Sequence, residues 1–144
     1  MQFSGMLTAK ASMKIFLSYA AADKDYARRL RNILTEKGYD VWDEAEKIAP
    51  GMNWLLEAGR ALEKSDAMIV LLSPSAVESP ATQWEIEYAL GAQQFQDRLI
   101  PVLIKPTTDI PWILRRLNFI DATGDEKQVA PRVIAALRRT AASV

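Results

Sequence analysis

The stretch Ala67-Met68-Ile69-Val70-Leu71-Leu72 decides the fold class of this chain. An apolar run without polar alternation is typical of a central strand in a parallel sheet, because helices cover such a strand on both faces. A helical pattern precedes it over residues 54–62, and another begins after the chain break at Ser73-Pro74-Ser75. This arrangement predicts a buried strand between two crossover helices.

The same alternation of strand and helix patterns extends in both directions. On the amino side, a helical pattern starts at Asp23, a plausible N-cap, and stops at Gly38. On the carboxyl side, Pro101 interrupts an apolar run and favours a position near a sheet edge or a strand start. The predicted strands are 15–17, 39–42, 67–72, 99–104 and 118–121, the predicted helices are 23–37, 54–62, about 80–95 and 129–139, and 43–51 is predicted as a polar loop.

This alternation predicts an α/β fold with one open, mostly parallel sheet and helices on both faces, connected by right-handed crossovers. Five strands favour the flavodoxin-like three-layer sandwich with strand order 2-1-3-4-5. Ligands of such folds bind where the strand order reverses, beyond the carboxyl ends of the strands. We therefore expect the loops 18–23 and 73–80 to face each other at a binding crevice.

Composition limits the chemistry that the chain can perform. The 144 residues carry 18 Lys+Arg and 18 Asp+Glu, and there is no histidine and no cysteine. Without these two residue types the chain has no thiol nucleophile, no imidazole base and neither of the favoured zinc ligands. We expect no metal site, and any catalysis must depend on carboxylates, hydroxyls, other side chains or a borrowed cofactor.

Charge and hydropathy patterning indicate the kind of partner to expect. Balanced charge argues against a nucleic-acid partner. No stretch approaches the roughly 18 apolar residues of a membrane span, so we expect a cytoplasmic protein without a membrane partner. Because Met13 directly precedes the first strand, we interpret 1–12 as an N-terminal extension and 13–144 as the domain.

Two known occupants of this architecture do not fit the strand ends. A two-component receiver needs an acidic pair after the first strand and an aspartate after the third, where this chain has Ser18 and Ser73. A flavodoxin needs a phosphate-binding loop after the first strand, and Ser18-Tyr19-Ala20-Ala21 offers no glycine nest. The G-x-x-x-x-G-K-[ST] and G-x-G-x-x-G motifs are also absent.

Four separate blocks of sequence follow one another along the chain. They are Ile15-Phe16-Leu17-Ser18-Tyr19 with Asp23, Val41-Trp42-Asp43-Glu44 with Lys47-Ile48-Ala49-Pro50-Gly51, Ser65-Asp66 with 69–75, and Trp84-Glu85-Ile86-Glu87-Tyr88-Ala89-Leu90-Gly91. In these blocks and in their order, the chain from Lys14 to about Arg139 resembles the TIR (Toll/interleukin receptor) domain, particularly its bacterial form.

The resemblance implies an NAD+ glycohydrolase or cyclase that releases nicotinamide and leaves ADP-ribose or a cyclic isomer, in immune signalling, antiphage defence or NAD depletion. NAD+ is then the substrate, and no cofactor is required. The family's essential glutamate matches Glu85, whereas Glu87 is expected to be solvated. Nicotinamide leaves as a neutral molecule, so no general acid is needed, and a carboxylate can stabilise the oxocarbenium-like ribose.

The strand ends supply the candidate substrate-binding residues beside Glu85. A hydroxyl there could equally satisfy a loop backbone, and the residues after the second strand could instead serve loop closure. Asp23 is interpreted as a helix cap before any other role. The candidates are Ser18, Tyr19, Trp42, Asp43 and Ser73.

One departure from the family pattern keeps a second function open. The family often places an aromatic residue four positions before the glutamate, where this chain has Ala81. Trp84 is rotated by about 100° and is expected in the core, so Trp42 or Tyr19 would have to supply a stacking surface. The alternative is a non-catalytic adaptor that self-associates through the loop 43–51. Either function allows a fused or separate sensor or effector domain.

Overall fold

The computed structural model describes residues 12–142, so most of the predicted extension 1–12 lies outside the described residues. Five parallel strands form one sheet in the order β2-β1-β3-β4-β5, which confirms the predicted flavodoxin-like topology. The strands are β1 (Lys14–Ser18), β2 (Asp40–Asp43), β3 (Ala67–Leu72), β4 (Leu99–Leu103) and β5 (Ile120–Asp121).

Helices cover both faces of the sheet and bury its apolar side chains, as the continuous apolar run of β3 predicts. Alternate residues of each strand point to opposite faces. Ile15 and Ile69 therefore pack with Leu34 of α1, whereas Phe16 and Val70 pack with the opposite helical layer. The helices are α1 (Lys24–Glu36), α2 (Glu44–Lys47), α3 (Trp54–Lys64), α4 (Pro74–Glu78), α5 (Pro80–Gly91) and α6 (Val129–Ala142).

Three local predictions need correction. The predicted polar loop 43–51 contains the short helix α2, and the predicted break after β3 is the start of α4, whose first turn Ser73 caps. The helix predicted over about 80–95 ends at Gly91, and Phe95 belongs to a separate 3-10 turn although its side chain is buried. These short elements depend on local capping, which apolar periodicity does not report.

Pro101 lies in the middle of β4, where the sequence favoured a sheet edge or strand start. It is paired with Val70 of β3 in the parallel register. On the other side of β4, β5 pairs only with Val102 and Leu103. At Pro101 the strand is therefore locally an edge, which explains why the ladder tolerates a residue without an N–H donor.

Among the described residues, no helix combines the length and the apolar character that crossing a membrane requires.

Candidate active site

The carboxyl ends of β1, β2 and β3 bring three predicted site residues to one edge of the sheet. Ser18 and Asp43 end β1 and β2, and Ser73 directly follows β3. All three side chains are buried although they are polar. Buried polar groups require hydrogen-bond partners. The partners of each side chain therefore indicate whether it positions the loops or can contact a ligand.

Glu85 reaches this edge from α5. Ser79 caps the helix by accepting a hydrogen bond from the backbone N–H of Thr82 at 3.3 Å. The side chain of Glu85 is only 3% exposed, and the Ser18 hydroxyl donates to its Oε1 at 2.6 Å. Glu87 is exposed, as predicted. The structure thus joins two sequence-predicted residues, Ser18 and Glu85, in one buried contact.

Burial raises the pKa of Glu85 from 4.5 to about 7. Desolvation is the largest cause, because removal from water penalises the charged carboxylate. The Ser18 hydrogen bond opposes this increase, whereas the nearby charge of Glu44 adds to it. Glu85 is therefore a carboxyl group that changes its ionisation near neutral pH.

Glu44, the first residue of α2, is a second carboxyl group of this region that the sequence did not predict as a site residue. It is half-buried, and desolvation raises its pKa, which the charge of Asp43 raises further. The Trp54 indole N–H interacts with Glu44 and lowers the Glu44 pKa, but the two groups do not form a full hydrogen bond. The acidic pair Asp43-Glu44 at the end of β2 was the available sequence signal.

Asp43 anchors the segment that carries Glu44. The Tyr19 hydroxyl donates to Oδ1 of Asp43, which also accepts from the Ala45 backbone N–H at 3.0 Å. Arg31 of α1 donates to Oδ2 at 3.1 Å. Burial and the Asp43 contact raise the pKa of Tyr19. Both carboxylate oxygens of Asp43 thus accept hydrogen bonds from the protein, which indicates that Asp43 positions the segment after β2. Substrate contact by Tyr19 and Asp43 stays a prediction.

A second buried cluster joins the loops after β1 and β3. The Ser73 hydroxyl donates to Oδ2 of Asp23, and the Lys105 ammonium donates to Oδ1 at 3.1 Å. Ser73 also accepts from the Ala76 backbone N–H at 3.1 Å. The expectation that the two loops face each other is confirmed. Asp23 occupies the predicted N-cap position of α1, but its carboxylate makes no capping hydrogen bond and contacts Ser73 and Lys105 instead.

Trp42 lies on the face of β2 opposite to Asp43. Its ring stacks on Phe16, with centroids 4.7 Å apart and an interplanar angle of 14°. It borders a cavity of about 430 Å³ that Lys14 and Ser65 line near the amino ends of β1 and β3. The structure therefore does not gather Trp42 into the cluster around Glu85, and its predicted contact with substrate remains a prediction.

Trp84 of α5 is partly buried and packs against the core beneath α3 and α5, which bears out its expected place in the core in part. Its ring centroid lies 5.7 Å from that of Trp54 and 6.0 Å from that of Tyr88. Within the described part of the chain, no cluster of three or more potential metal-ligating side chains occurs.

Comparisons with known proteins give a consistent result. A family model described as TIR domain matches residues 15–134. The chain is 24% identical over 95 residues to the probable 2' cyclic ADP-D-ribose synthase TcpO of Methanobrevibacter olleyae, covering 65% of this chain and 28% of that protein. It is 33% identical over 98 residues to the 2' cyclic ADP-D-ribose synthase BtTIR of Bacteroides thetaiotaomicron, covering 65% of this chain and 33% of that protein.

Among solved structures, the TIR domain of the Toll-related receptor TRR-2 from Hydra magnipapillata superposes with a TM-score of 0.72 at 23% identity. The match covers 88% of this chain and 95% of that domain. The aligned part of the chain thus corresponds to nearly a whole receptor domain but to a third or less of each curated relative.

Proposed function

This chain belongs to the TIR domain family, and on that basis we propose that it cleaves the nicotinamide–ribosyl bond of NAD+ with Glu85 as its essential carboxylate. The observation that carries the proposal is the burial of Glu85 against Ser18 at the carboxyl edge of the sheet. The two relatives named as 2' cyclic ADP-D-ribose synthases support the same substrate class.

In the proposed reaction the bond between ribose C1′ and the pyridinium nitrogen breaks. Its electron pair stays on the nitrogen, so nicotinamide departs as a neutral molecule. The ribose acquires oxocarbenium character, which a fixed carboxylate stabilises in a site with little water. Attack by water on C1′ then gives ADP-ribose and one proton, whereas attack by a hydroxyl of the same molecule gives a cyclic isomer and one proton. The names of the two relatives favour the cyclic product.

The ionised form of Glu85 is the one that can stabilise this positive charge. Since burial raises its pKa to about 7, the ionised fraction in the free enzyme increases as pH rises through neutrality. A bound cationic pyridinium favours the carboxylate and shifts the balance further toward ionisation. We therefore expect kcat/KM for NAD+ to rise with pH between about 6 and 8 and then to level off.

A non-catalytic TIR–TIR interaction module is the second candidate function. Three large apolar side chains are exposed where α3 begins, next to the predicted assembly loop: Met52, Leu55 and Leu56. Exposed apolar clusters of this kind are typical of interaction surfaces. Self-association and catalysis are compatible, and a sensor or effector domain could control either of them.

The test measures nicotinamide release from NAD+ at several protein concentrations and separates the adenine products by chromatography. Glu85→Gln keeps the size of the side chain and an acceptor for Ser18 but cannot ionise. Glu87→Gln, two residues along α5 and exposed, is the matched control. We expect loss of activity in the first variant and wild-type activity in the second. Equal turnover by wild type and Glu85→Gln would overturn the assignment, and self-association without nicotinamide release would favour the adaptor.

A further inference from the structure

Thr82 is a buried hydroxyl beside Glu85 that lacks a hydrogen-bond partner. It lies one helical turn before Glu85 on the buried face of α5, and its side chain is 1% exposed. Its backbone N–H is satisfied by Ser79, but Oγ1 has no partner among the described residues. A hydroxyl that is out of water and unpaired is an exception among buried polar groups and requires an explanation.

The local structure offers Thr82 an obvious partner that it does not use. In a helix, a threonine hydroxyl commonly donates to the backbone carbonyl one turn earlier. In α5 the side chain instead leaves this hydroxyl unpaired, although an unsatisfied buried donor destabilises a fold. An exposed position or a valine would avoid this cost, so the hydroxyl is better explained by a group that binds to it.

A second buried donor without a full hydrogen bond is the Trp54 indole at the start of α3. The Trp54 indole Nε1 is buried and makes no full hydrogen bond, although it acts on the pKa of Glu44. Glu44 in turn acts on the pKa of Glu85. The two carboxyl groups are thus accompanied by the unpaired Thr82 hydroxyl and by a Trp54 N–H that interacts with Glu44 without a full hydrogen bond.

We propose that the Thr82 hydroxyl is a substrate-binding group that hydrogen-bonds a hydroxyl of the ribose whose C1′ reacts next to Glu85. This inference depends on the proposed NAD+ cleavage. Because α5 runs inward from the carboxyl edge, Thr82 lies about 4.5 Å farther out along the helix axis than Glu85. That position is beyond the strand ends, where ligands of open parallel sheets bind.

The spacing and chemistry fit one sugar ring. Side chains three residues apart on a helix have Cβ atoms about 5–6 Å apart, so Thr82 and Glu85 can contact different groups of the same ribose. The carboxylate accepts hydrogen bonds only, whereas the threonine hydroxyl both donates and accepts. Thr82 thus complements Glu85, which binds the region of developing positive charge.

The experiment compares Thr82→Val, which is isosteric and lacks the hydroxyl, with Thr82→Ser, which retains it. Thr35→Val removes an exposed helical hydroxyl from α1 and serves as the matched control. Steady-state kinetics with NAD+ should show KM raised about three- to tenfold in Thr82→Val with little change in kcat, as expected for loss of one neutral hydrogen bond. Thr82→Ser should recover most of the affinity, and Thr35→Val should behave as wild type.

Urea unfolding distinguishes substrate binding from a structural role. Removing an unsatisfied hydroxyl should leave the unfolding midpoint of Thr82→Val equal to or above that of wild type. A lowered midpoint in Thr82→Val would show that the hydroxyl supports the fold and would overturn the inference.

NAD+ binding to Glu85→Gln, with and without Thr82→Val, separates this inference from the proposed function. Unchanged binding and an unchanged KM in Thr82→Val, in an active protein, would overturn the inference alone. Absence of both nicotinamide release by wild type and NAD+ binding by Glu85→Gln would overturn the proposed function and the inference with it. Weaker binding by the double variant would support the inference.

Discussion

Replacing Glu85 by glutamine should stabilise the protein at neutral and alkaline pH while abolishing the proposed activity. The glutamine Oε1 can accept the hydrogen bond that Ser18 donates to Glu85 at 2.6 Å, but glutamine carries no charge to desolvate. Glu85 as a whole residue is only 3% exposed. The proposed reaction therefore needs the ionised form of Glu85, and the folded state disfavours that form.

The magnitude follows from the pKa of Glu85 in the folded protein, about 7, compared with its ordinary value of 4.5. Below pH 4.5 the group is protonated in both states, so it contributes no difference. Between pH 4.5 and 7 it ionises preferentially in the unfolded chain, and the folded state loses about 1.4 kcal/mol for each pH unit. Above pH 7 the loss is complete, at roughly 3 kcal/mol.

Urea unfolding followed by tryptophan fluorescence, at pH 4.5, 6, 7 and 8, measures this dependence. Glu85→Gln should match wild type at pH 4.5 and exceed it by roughly 3 kcal/mol at pH 8. Glu87→Gln, at an exposed position of the same helix, should differ from wild type by less than about 0.5 kcal/mol throughout. Equal stability of wild type and Glu85→Gln at pH 8, or a gain independent of pH, would refute the assignment of a raised pKa.

Three further substitutions test the contacts that shape the site and the fold, each by urea unfolding at neutral pH. Asp43→Ala removes the acceptor of buried side-chain and backbone hydrogen bonds and should cost about 3 kcal/mol, whereas Asp25→Ala, in an exposed ion pair, should cost less than about 0.5 kcal/mol. Lys105→Met removes an ammonium partner of the buried Asp23; because Lys105 is 57% exposed, the expected loss is only about 1 kcal/mol. Gly38→Ala places a side chain at φ +96° after α1 and should cost about 1–2 kcal/mol. Losses of equal size at Asp43 and Asp25 would contradict the anchoring role of Asp43.

The sheet was predictable because its signals are local and repeated. β3 is apolar along its whole length and buried along its whole length, and the apolar runs of β1 and β4 give the same signal. The short helix α2 was not predictable in this way. It is only four residues long, has no apolar period, and depends on the capping hydrogen bond that Asp43 accepts from the Ala45 backbone N–H. The Asp43 side chain is itself held by Tyr19 and Arg31, which are distant in sequence.

The candidate site was predictable to the level of the sheet edge but not to the level of its contacts. Strand order placed Ser18 and Ser73 at the crevice, and family resemblance identified Glu85. Residue alternation places Trp42 and Asp43 on opposite faces of β2, and the register pairs Trp42 with Phe16, two residues before Ser18 at the end of β1. Lys105 was not predictable, because its contact with Asp23 joins the segments that follow β1 and β4, 82 residues apart in sequence.

The absence of histidine is offset by the placement of one glutamate. Histidine is the side chain whose ordinary pKa allows it to change charge near neutrality, and this chain has none. Burial of Glu85 on α5 raises the pKa of its carboxyl group to about 7, so this group also changes charge near neutral pH. A cationic substrate group would stabilise the carboxylate that the fold disfavours, so substrate binding and ionisation of Glu85 should favour each other. The desolvation that destabilises the free domain at neutral pH would strengthen the attraction between Glu85 and a pyridinium cation of the proposed substrate, because the exclusion of water increases electrostatic attraction.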